Sequence, residues 1–386
     1  MQNLKKLMAM MLMLLSVFFI ACDDDESTEL TTDEVKTELT SLNTDMSTYL
    51  EEMANSDGMK AMEILMNMPT PFTDGKTTSS SVIPNIKNFL LPLKPEKIKS
   101  VSSNHFYFED WIGTYTWDIE HQMWVPEFGV PTDKIIIHFP TEGSTTNDAT
   151  ITIHDYNEIE ITEYDDEYQE YYRDYYPTAI LADLYVNSVK FIEIDVDATW
   201  ITTGDNAGEP SSLDLSVYLT PFTFTGNFDH TSAAANIDFA IKYNDESIFS
   251  AGVNATFEND DMEFPLTIGG YIQLLNVKIE ANADIAGIET VFANETYTTA
   301  DEISDAINEE IDAVVYIDGA KVADIIIEFA TTAGQYSIPI EIEDNIYIYI
   351  NIQFKYTDGT IEPAAPYFEG FVTDIENFIS FLDDSY

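Results

Sequence analysis

The chain has 386 residues and a formal net charge of −54, from 16 basic and 70 acidic side chains. Such a charge repels phosphate backbones, so the composition argues against nucleic acid as a partner. Hydrophobic residues make up 45% of the chain, as in ordinary globular proteins, and the single cysteine, Cys22, excludes disulfides within one chain. We therefore expect the fold to be stabilised by burial of apolar surface alone.

The first 21 residues have the pattern of a secretory signal peptide. Lys5 and Lys6 precede an uncharged, mostly apolar run over residues 7–21, which is too short to rest as a membrane span. The small residue Ala21 stands directly before Cys22, at the position expected for cleavage. Cleavage before Cys22 would remove 21 of the 386 residues and leave 365.

The junction of Ala21 and Cys22 resembles the bacterial lipoprotein signal, in which the cysteine is lipidated and becomes the new N-terminus. An acidic run follows and resembles the export signal of surface-exposed lipoproteins of the Bacteroidetes group: Asp23, Asp24, Asp25 and Glu26. The resemblance implies an outer-membrane lipid anchor on Cys22, a tether over residues 22–30 and a body on the cell surface. A periplasm-facing orientation, or an ordinary signal peptide with a coincidental cysteine, is the alternative.

Helical periodicity predicts an N-terminal helical segment over residues 31–68. Apolar residues recur three and four apart from Val35 to Met66, and Thr31 with Glu34 has the spacing of a capping box. Asp57-Gly58 interrupts the pattern, so the segment is predicted to be a helical hairpin or one bent helix. Residues 69–100, rich in Pro, Ser and Thr, are predicted to be a connector without long regular elements.

Beyond residue 100 the apolar period changes from 3.6 to 2, which predicts an antiparallel β domain over residues 101–386. Asn244-Asp245 and Asp318-Gly319 are tight-turn signals between such runs. The alternating segments are Ile192–Trp200, Leu213–Leu219, Ile237–Tyr243, Ala251–Phe257, Leu275–Ile285 and Ile338–Phe354.

The dry face of this sheet needs a cover, and helical patterns at residues 33–66, 301–313 and 367–382 can supply it. Thr299 and Glu302 form a second capping-box pattern at the start of the helix predicted over residues 301–313. The predicted fold is therefore α+β and β-rich, a curved antiparallel meander sheet covered by a few helices. This architecture is similar to that of half-barrel lipoproteins that carry lipids or lipoproteins across the periplasm.

A second resemblance covers roughly residues 105–285. The stretches that carry it are Gly113–Trp117, Trp124, Asp133–Pro140 and Asn147–Ile153. They resemble β-rich lipoproteins of the Bacteroidetes group that have no assigned activity, so the resemblance implies no functional residues.

Patterns for catalysis or metal binding are weak. None of the five histidines has zinc-ligand spacing, and no Gly-x-Ser-x-Gly elbow is present. His154, Asp155 and Glu158 could contribute to a metal site, or they form a solvated strand end. Glu193, Asp195 and Asp197 share a strand face before a turn at residues 205–206, without the pattern of a calcium loop. We expect no catalytic residue and no cofactor beyond adventitious calcium.

A tyrosine-rich segment over residues 163–176 is the candidate binding surface. Its tyrosines recur three and four apart, so a helical turn would gather them on one side: Tyr164, Tyr168, Tyr171, Tyr172 and Tyr175. Tyrosine rings beside carboxylates suit a glycan or a protein partner, because they combine contact area with hydrogen bonding. The alternative is a loop whose rings pack onto the sheet.

These observations predict an outer-membrane-anchored, surface-exposed lipoprotein that acts as a non-enzymatic binding or interaction module. Its partners would be the membrane, through the N-terminal lipid, and a glycan, lipid or protein ligand. Two alternatives stay open: a carrier of a hydrophobic ligand between sheet and helices, and a secreted-type hydrolase that uses a pair of carboxylates.

Overall fold

The computed structural model describes residues 30–66, 108–165, 170–204, 207–231, 233–257, 265–293, 299–335, 337–343 and 346–367. The signal peptide, Cys22, the acidic run at 23–26 and the connector at 69–100 lie outside these residues. So does the helix predicted over 367–382, apart from Tyr367.

The described helices and strands follow the chain in this order. The helices are α1 (Thr32–Ala54), α2 (Asp57–Met66), α3 (Phe108–Trp111), α4 (Ile285–Ala293) and α5 (Ala300–Glu309), with a 3-10 turn at Ala365–Tyr367. The first strands are β1 (Gly113–Asp118), β2 (Met123–Phe128), β3 (Ile135–Phe139), β4 (Ala149–Asp165), β5 (Glu170–Val186), β6 (Val189–Trp200), β7 (Pro210–Leu219) and β8 (Phe222–Thr231). The remaining strands are β9 (Ala234–Tyr243), β10 (Glu246–Phe257), β11 (Pro265–Leu274), β12 (Val277–Asp284), β13 (Ile311–Ile317), β14 (Ala320–Ala330), β15 (Ile338–Glu343), β16 (Ile346–Tyr356) and β17 (Ile361–Pro363).

The chain divides into two compact units. Of the described residues, those within 55–230 and 243–245 form the central unit, and those within 30–54, 231–242 and 246–367 form the terminal unit.

In the central unit, strands β3 to β8 form an antiparallel meander, and β1 pairs with β2 and runs parallel to β3. Directly paired residues form a buried row across the meander: Ile137, Ile151, Leu184, Ile192, Leu219 and Phe222. Helix α2 packs on β6 and β7. Its Gly58 donates its N–H to the Thr220 carbonyl at 2.8 Å, and a Cβ there would lie 2.4 Å from the Leu219 carbonyl carbon. A side chain at position 58 would therefore push the helix off the sheet.

In the terminal unit, β9 pairs with β10, and β10 to β14 continue an antiparallel meander that ends with β16 beside β14. Strands β15 and β17 share the other edge of β16. The core forms where α1, α4 and α5 cover alternate residues of the sheet. Val35 and Leu39 of α1 lie in one cluster with Ile307 of α5 and with Ile279 and Val315 of the sheet.

The predicted β-rich α+β fold, antiparallel meanders with a few helices, is confirmed. The turn residues Asn244 and Asp245 both have positive φ, as do Asp318 and Gly319 between β13 and β14. The capping box of α1 forms as predicted, because Thr31 N–H donates to Glu34 Oε2 at 2.8 Å and Glu34 N–H donates to Thr31 Oγ1 at 3.4 Å.

The helix predicted over 301–313 is shorter than expected. It ends at Glu309, and residues 311–313 begin β13, where Ile311 pairs with Ala283. The spacing of Ile303, Ile307 and Ile311 suits a helix, but Ile311 instead pairs with β12 as the first residue of β13. Helix α4 was not predicted, because its sequence is apolar nearly all round and shows no clear helical period. The signal that was missed is Asp284, directly before the helix, whose Oδ1 accepts from Gly287 N–H at 3.0 Å.

Among the described residues, no helix is both long enough and apolar enough to cross a membrane.

Candidate functional site

The terminal unit carries a groove on the solvent face of its sheet, opposite the core. We call it the polar groove. It is lined by residues of β9 to β13 and of two turns: Asn236, Asp238, Gly252, Val253, Asn254, Tyr271, Gln273, Asn276, Lys278, Glu280, Tyr316, Asp318 and Gly319.

Strand alternation and register assemble the groove. Along β12, Val277 and Ile279 point into the core, so Lys278 and Glu280 lie on the opposite face. Cross-strand pairing then places Gly252 beside Tyr271, and Tyr271 beside Glu280. A second row pairs Gln273 with Lys278 and Lys278 with Tyr316. Residues far apart in sequence thus become neighbours on one face.

The groove contains two adjoining cavities of about 380 Å³ and about 260 Å³, and Lys278 lines both. The larger one lies near the lower end of the size range of sites that hold small molecules, roughly 300–1,000 Å³. Both are open to solvent, so the groove can hold a small ligand or a protruding part of a larger one.

Gly252 forms part of the groove floor. A Cβ at this position would lie 2.4 Å from Asp238 Oδ1 and 2.6 Å from Tyr271 Cε1, so the carboxylate and the ring both approach bare backbone. Tyr271 also donates its hydroxyl to Asp238 Oδ1 at 3.4 Å. Burial, followed by the charge of Asp238, raises the pKa of Tyr271, so its hydroxyl stays protonated at neutral pH.

Glu280 carries a nearly buried carboxylate on this face. Its side chain is 6% exposed, and its Oε1 forms an ion pair with Lys278 Nζ. The same Nζ lies 5.2 Å from the centroid of the Tyr271 ring, within the range of a cation–π contact. Lys278, the cation of the groove lining, is therefore held by an acid and an aromatic ring.

Two turns close one end of the groove. Asp318 N–H donates to the Asn276 carbonyl at 2.9 Å, and Asn276 Nδ2 donates to Asp318 Oδ2 at 3.4 Å. Leu275, Asp318 and Gly319 all have positive φ, as tight hairpin turns require. The amide and the carboxylate are thus presented together from neighbouring hairpins.

The central unit contains a similar group of a lysine, an acid and a tyrosine: Lys190, Glu193 and Tyr218. Lys190 Nζ lies 2.5 Å from Glu193 Oε2 and 6.0 Å from the centroid of the Tyr218 ring. The two lysines are similarly exposed, 35% for Lys190 and 32% for Lys278, but the Glu193 side chain is 41% exposed and that of Glu280 only 6%. A lysine held by an acid and a tyrosine ring thus occurs in both units. The polar groove differs in that its carboxylate, Glu280, is nearly buried.

The structure places the tyrosine-rich segment on the hairpin of β4 and β5. The backbone of residues 163–165 and 170–176 is extended, so these residues do not form the helical turn considered for the segment, and their side chains follow a period of two. Tyr164 pairs with Tyr171, Glu160 with Tyr175 and Glu163 with Tyr172. Tyr168 lies outside the described residues.

Side chains at the base of this hairpin are already engaged. Tyr175 donates its hydroxyl to Glu160 Oε2 at 2.8 Å, whereas the next residue, Tyr176, takes the opposite face and lies 4.6 Å from Trp200 between ring centroids. The adjacent residues Tyr175 and Tyr176 thus face opposite sides of the hairpin. The binding role of the segment stays a prediction.

The candidate metal ligands are not brought together. His154 Nε2 bonds to Asp183 Oδ2, while Asp155 accepts from Asn157 and Glu158 accepts from Tyr156. Within the described ranges, no group of three His, Cys, Asp or Glu residues could hold a metal ion.

The acids of β6 do share a face, because Glu193, Asp195 and Asp197 are alternate residues of one strand. Burial, followed by repulsion from Asp197 and Glu193, raises the pKa of Asp195. Residues 205 and 206 of the following turn lie outside the described part of the chain.

Sequence reasoning missed the polar groove. Its residues are the polar half of an alternating pattern, which sequence alone assigns to a solvated face. One signal was present: Lys278 and Glu280 stand two apart on a strand, in a chain with few basic residues.

Comparisons with protein-family models, with curated proteins and with solved structures found no match to this chain.

Proposed function

We propose that this chain is a non-enzymatic binding module, anchored in the outer membrane through lipid on Cys22 and displayed on the cell surface, and that the polar groove holds its ligand. The observation that carries the proposal is the groove itself: adjoining cavities with polar and aromatic lining on the solvent face of the sheet. The anchoring part is supported by Ala21-Cys22 and by the acidic run that follows.

The lining favours a polar ligand. Amides at Asn236, Asn254 and Gln273 both donate and accept hydrogen bonds, and the carboxylates of Asp238 and Asp318 accept them. A ligand rich in hydroxyl or amide groups could satisfy these atoms as water leaves, whereas an alkyl chain would leave them unpaired at a cost.

The described cavities do not favour the lipid-carrier alternative. A carrier needs an apolar cavity between sheet and helices, and both cavities lie on the opposite, polar face. Between sheet and helices, Leu39, Ile307 and Val315 lie packed in one cluster. Within the polar groove, the Glu280 carboxylate is engaged by Lys278, so it is not poised as one of a pair of hydrolytic carboxylates.

The test is a thermal-shift screen of the mature chain with Cys22→Ser, using oligosaccharides, peptides and fatty acids as probes. We expect at least one polar probe to raise the melting temperature of the parent protein but not of Gly252→Ala. The added methyl displaces Tyr271 and Asp238 without touching the core.

The matched control is Tyr218→Phe, which alters the similar group of the central unit and should respond like the parent. If every stabilising probe acts equally on Gly252→Ala, the groove is not the binding site. Stabilisation by fatty acid alone, independent of Gly252, would favour the carrier.

A further inference from the structure

We infer that the ligand of the polar groove is an uncharged carbohydrate, an inference that rests on the proposed function. The lining contains two tyrosines, on β11 and β13, with Lys278 and Glu280 of β12 between them. Two strand spacings, about 10 Å, separate the strands that carry the rings. Aromatic rings set beside hydrogen-bonding groups suit a sugar, which has apolar C–H faces and a polar rim.

The hydrogen-bonding groups fit hydroxyls better than other partners. A hydroxyl both donates and accepts, and so does each side-chain amide of the groove. The carboxylates of Asp238 and Asp318 add acceptors at opposite ends, with Asp238 beside the Tyr271 ring and Asp318 in the turn after Tyr316. Each carboxylate can accept from a pair of neighbouring hydroxyls on one sugar ring.

The charges of the groove select against an acidic sugar. Among the described lining residues, Asp238, Glu280 and Asp318 face one cation, Lys278, and that ammonium group is already paired with Glu280. The nearby Lys321, beside Tyr316 on the next strand, is paired with Asp324. A uronate or sulfate group would meet unopposed carboxylates on a chain with a net charge of −54.

The position of the groove argues against a peptide strand. Peptides that bind by strand addition need a free sheet edge, where backbone N–H and C=O groups are unpaired. The groove instead crosses β10, β11 and β12, whose backbones are paired on both sides. Recognition there must come from side chains, as for a sugar laid across the sheet.

The experiment uses the full mature chain with Cys22→Ser on a printed array of neutral and acidic oligosaccharides, with titration calorimetry on the strongest neutral probe. We expect neutral oligosaccharides to bind and uronates and sulfated sugars not to bind. Because the ligand is uncharged, its affinity should be nearly independent of salt.

Two groove variants test the assignment. Asp238→Asn is isosteric and removes one charged acceptor, and Tyr316→Ser removes a ring. Each should weaken binding by about tenfold, the effect of losing one good contact. Tyr218→Ser, at a half-buried position of the central unit, and Asp214→Asn, at an exposed one, are the matched controls and should change affinity less than twofold. Circular dichroism and the melting temperature establish that each variant is folded.

Binding of acidic sugars in place of neutral ones would overturn the inference. So would groove-dependent binding of a peptide with no sugar bound, an outcome that leaves the proposed function standing. Binding of neutral sugars that is equal in all four variants would overturn both the sugar site and the groove, as would a screen in which no probe depends on Gly252.

Discussion

Glu280 is the most informative single residue of the groove, because a nearly buried carboxylate depends on its one cation. Removing the partner of a nearly buried charge is costlier than removing the pair, since the remaining carboxylate loses its counter-ion and gains only the limited hydration of the groove. Lys278 also contacts the Tyr271 ring, so it links the acid to the aromatic part of the groove.

We therefore expect Lys278→Met to destabilise the protein by about 1–3 kcal/mol. The double variant Lys278→Met/Glu280→Gln should recover most of this loss, because no charge is then left buried. Urea unfolding followed by circular dichroism measures both. The control is Lys190→Met, whose exposed pair with Glu193 should contribute about 0–1 kcal/mol. Equal losses in Lys278→Met and the double variant would contradict this account.

Glu362 is the second residue with a marked electrostatic role. It accepts hydrogen bonds from Lys36 Nζ at 2.6 Å, from the Tyr356 hydroxyl at 2.5 Å and from the Tyr367 hydroxyl. Burial is the largest single influence and raises its pKa, but the three hydrogen bonds together hold that pKa below its ordinary value of 4.5. The bond to Glu362 likewise raises the pKa of Lys36.

A carboxyl group with a lowered folded-state pKa contributes stability above its unfolded pKa and loses it as pH falls through the folded pKa. We therefore expect Glu362→Gln to be less stable than the parent at pH 7, with the difference shrinking as pH falls below about 4.5. Denaturant unfolding at several pH values measures this. Glu289→Gln, at an exposed position of α4, controls for charge removal alone. A difference that is constant with pH would refute the assignment.

At the scale of elements, helix α5 provides hydrogen-bond partners for the part of β14 that β13 does not reach. Strand β13 pairs with β14 only as far as Asp324, whereas β16 pairs with β14 as far as Ala330. Side chains of α5 satisfy the free backbone beyond that point. Asn308 accepts from Ile327 N–H at 2.8 Å and donates to its carbonyl at 2.7 Å, and Ser304 accepts from Phe329 N–H at 2.8 Å.

Asn308→Ala should therefore destabilise the protein by about 2–3 kcal/mol, because it leaves a backbone donor and acceptor unpaired. Hydrogen exchange of the Ile327 amide should accelerate more than that of amides in the middle of β12. The control is Asn282→Ala, at an exposed position of β12, which should change stability by less than about 0.5 kcal/mol. Unchanged exchange at Ile327 would show that the side chain is dispensable.

At the scale of the whole molecule, the signal and tether predict where the protein resides. Lipidation of Cys22 would fix the chain to the outer membrane, and the acidic run at 23–26 would direct the body to the surface. The strongly negative body favours a position held off anionic lipid by its tether.

The measurement is protease treatment of intact cells, followed by immunoblot. We expect rapid loss of the body while the cells remain unbroken, because a surface-displayed chain is open to protease. Cys22→Ser should move the protein to the soluble fraction, and replacing residues 23–26 by alanine should protect it from protease. Full protection of the parent would place the body in the periplasm and weaken the case for an extracellular ligand.

Local patterns predicted much of the fold but not the candidate site. Capping at Thr31 and Thr299 and the turn at Asp318 depend on neighbours in sequence, so composition and spacing reveal them. The three-and-four spacing of the tyrosines suggested a helix, but pairing between β4 and β5 imposed an extended backbone. Ile311 likewise fits a helical period in the sequence, but in the structure it pairs with Ala283 and belongs to a strand.

The sequence by itself determined the β-rich class, the alternation of dry and wet faces, the capped helix starts and the absence of a disulfide framework. These properties follow from periodicity and composition, which act over a few residues. Only the tertiary structure decided that Gly252, Tyr271 and Glu280 become neighbours, because strand register sets which polar residues meet across a sheet. The polar groove is a product of that register, and local sequence shows only that Lys278 and Glu280 share one face of a strand.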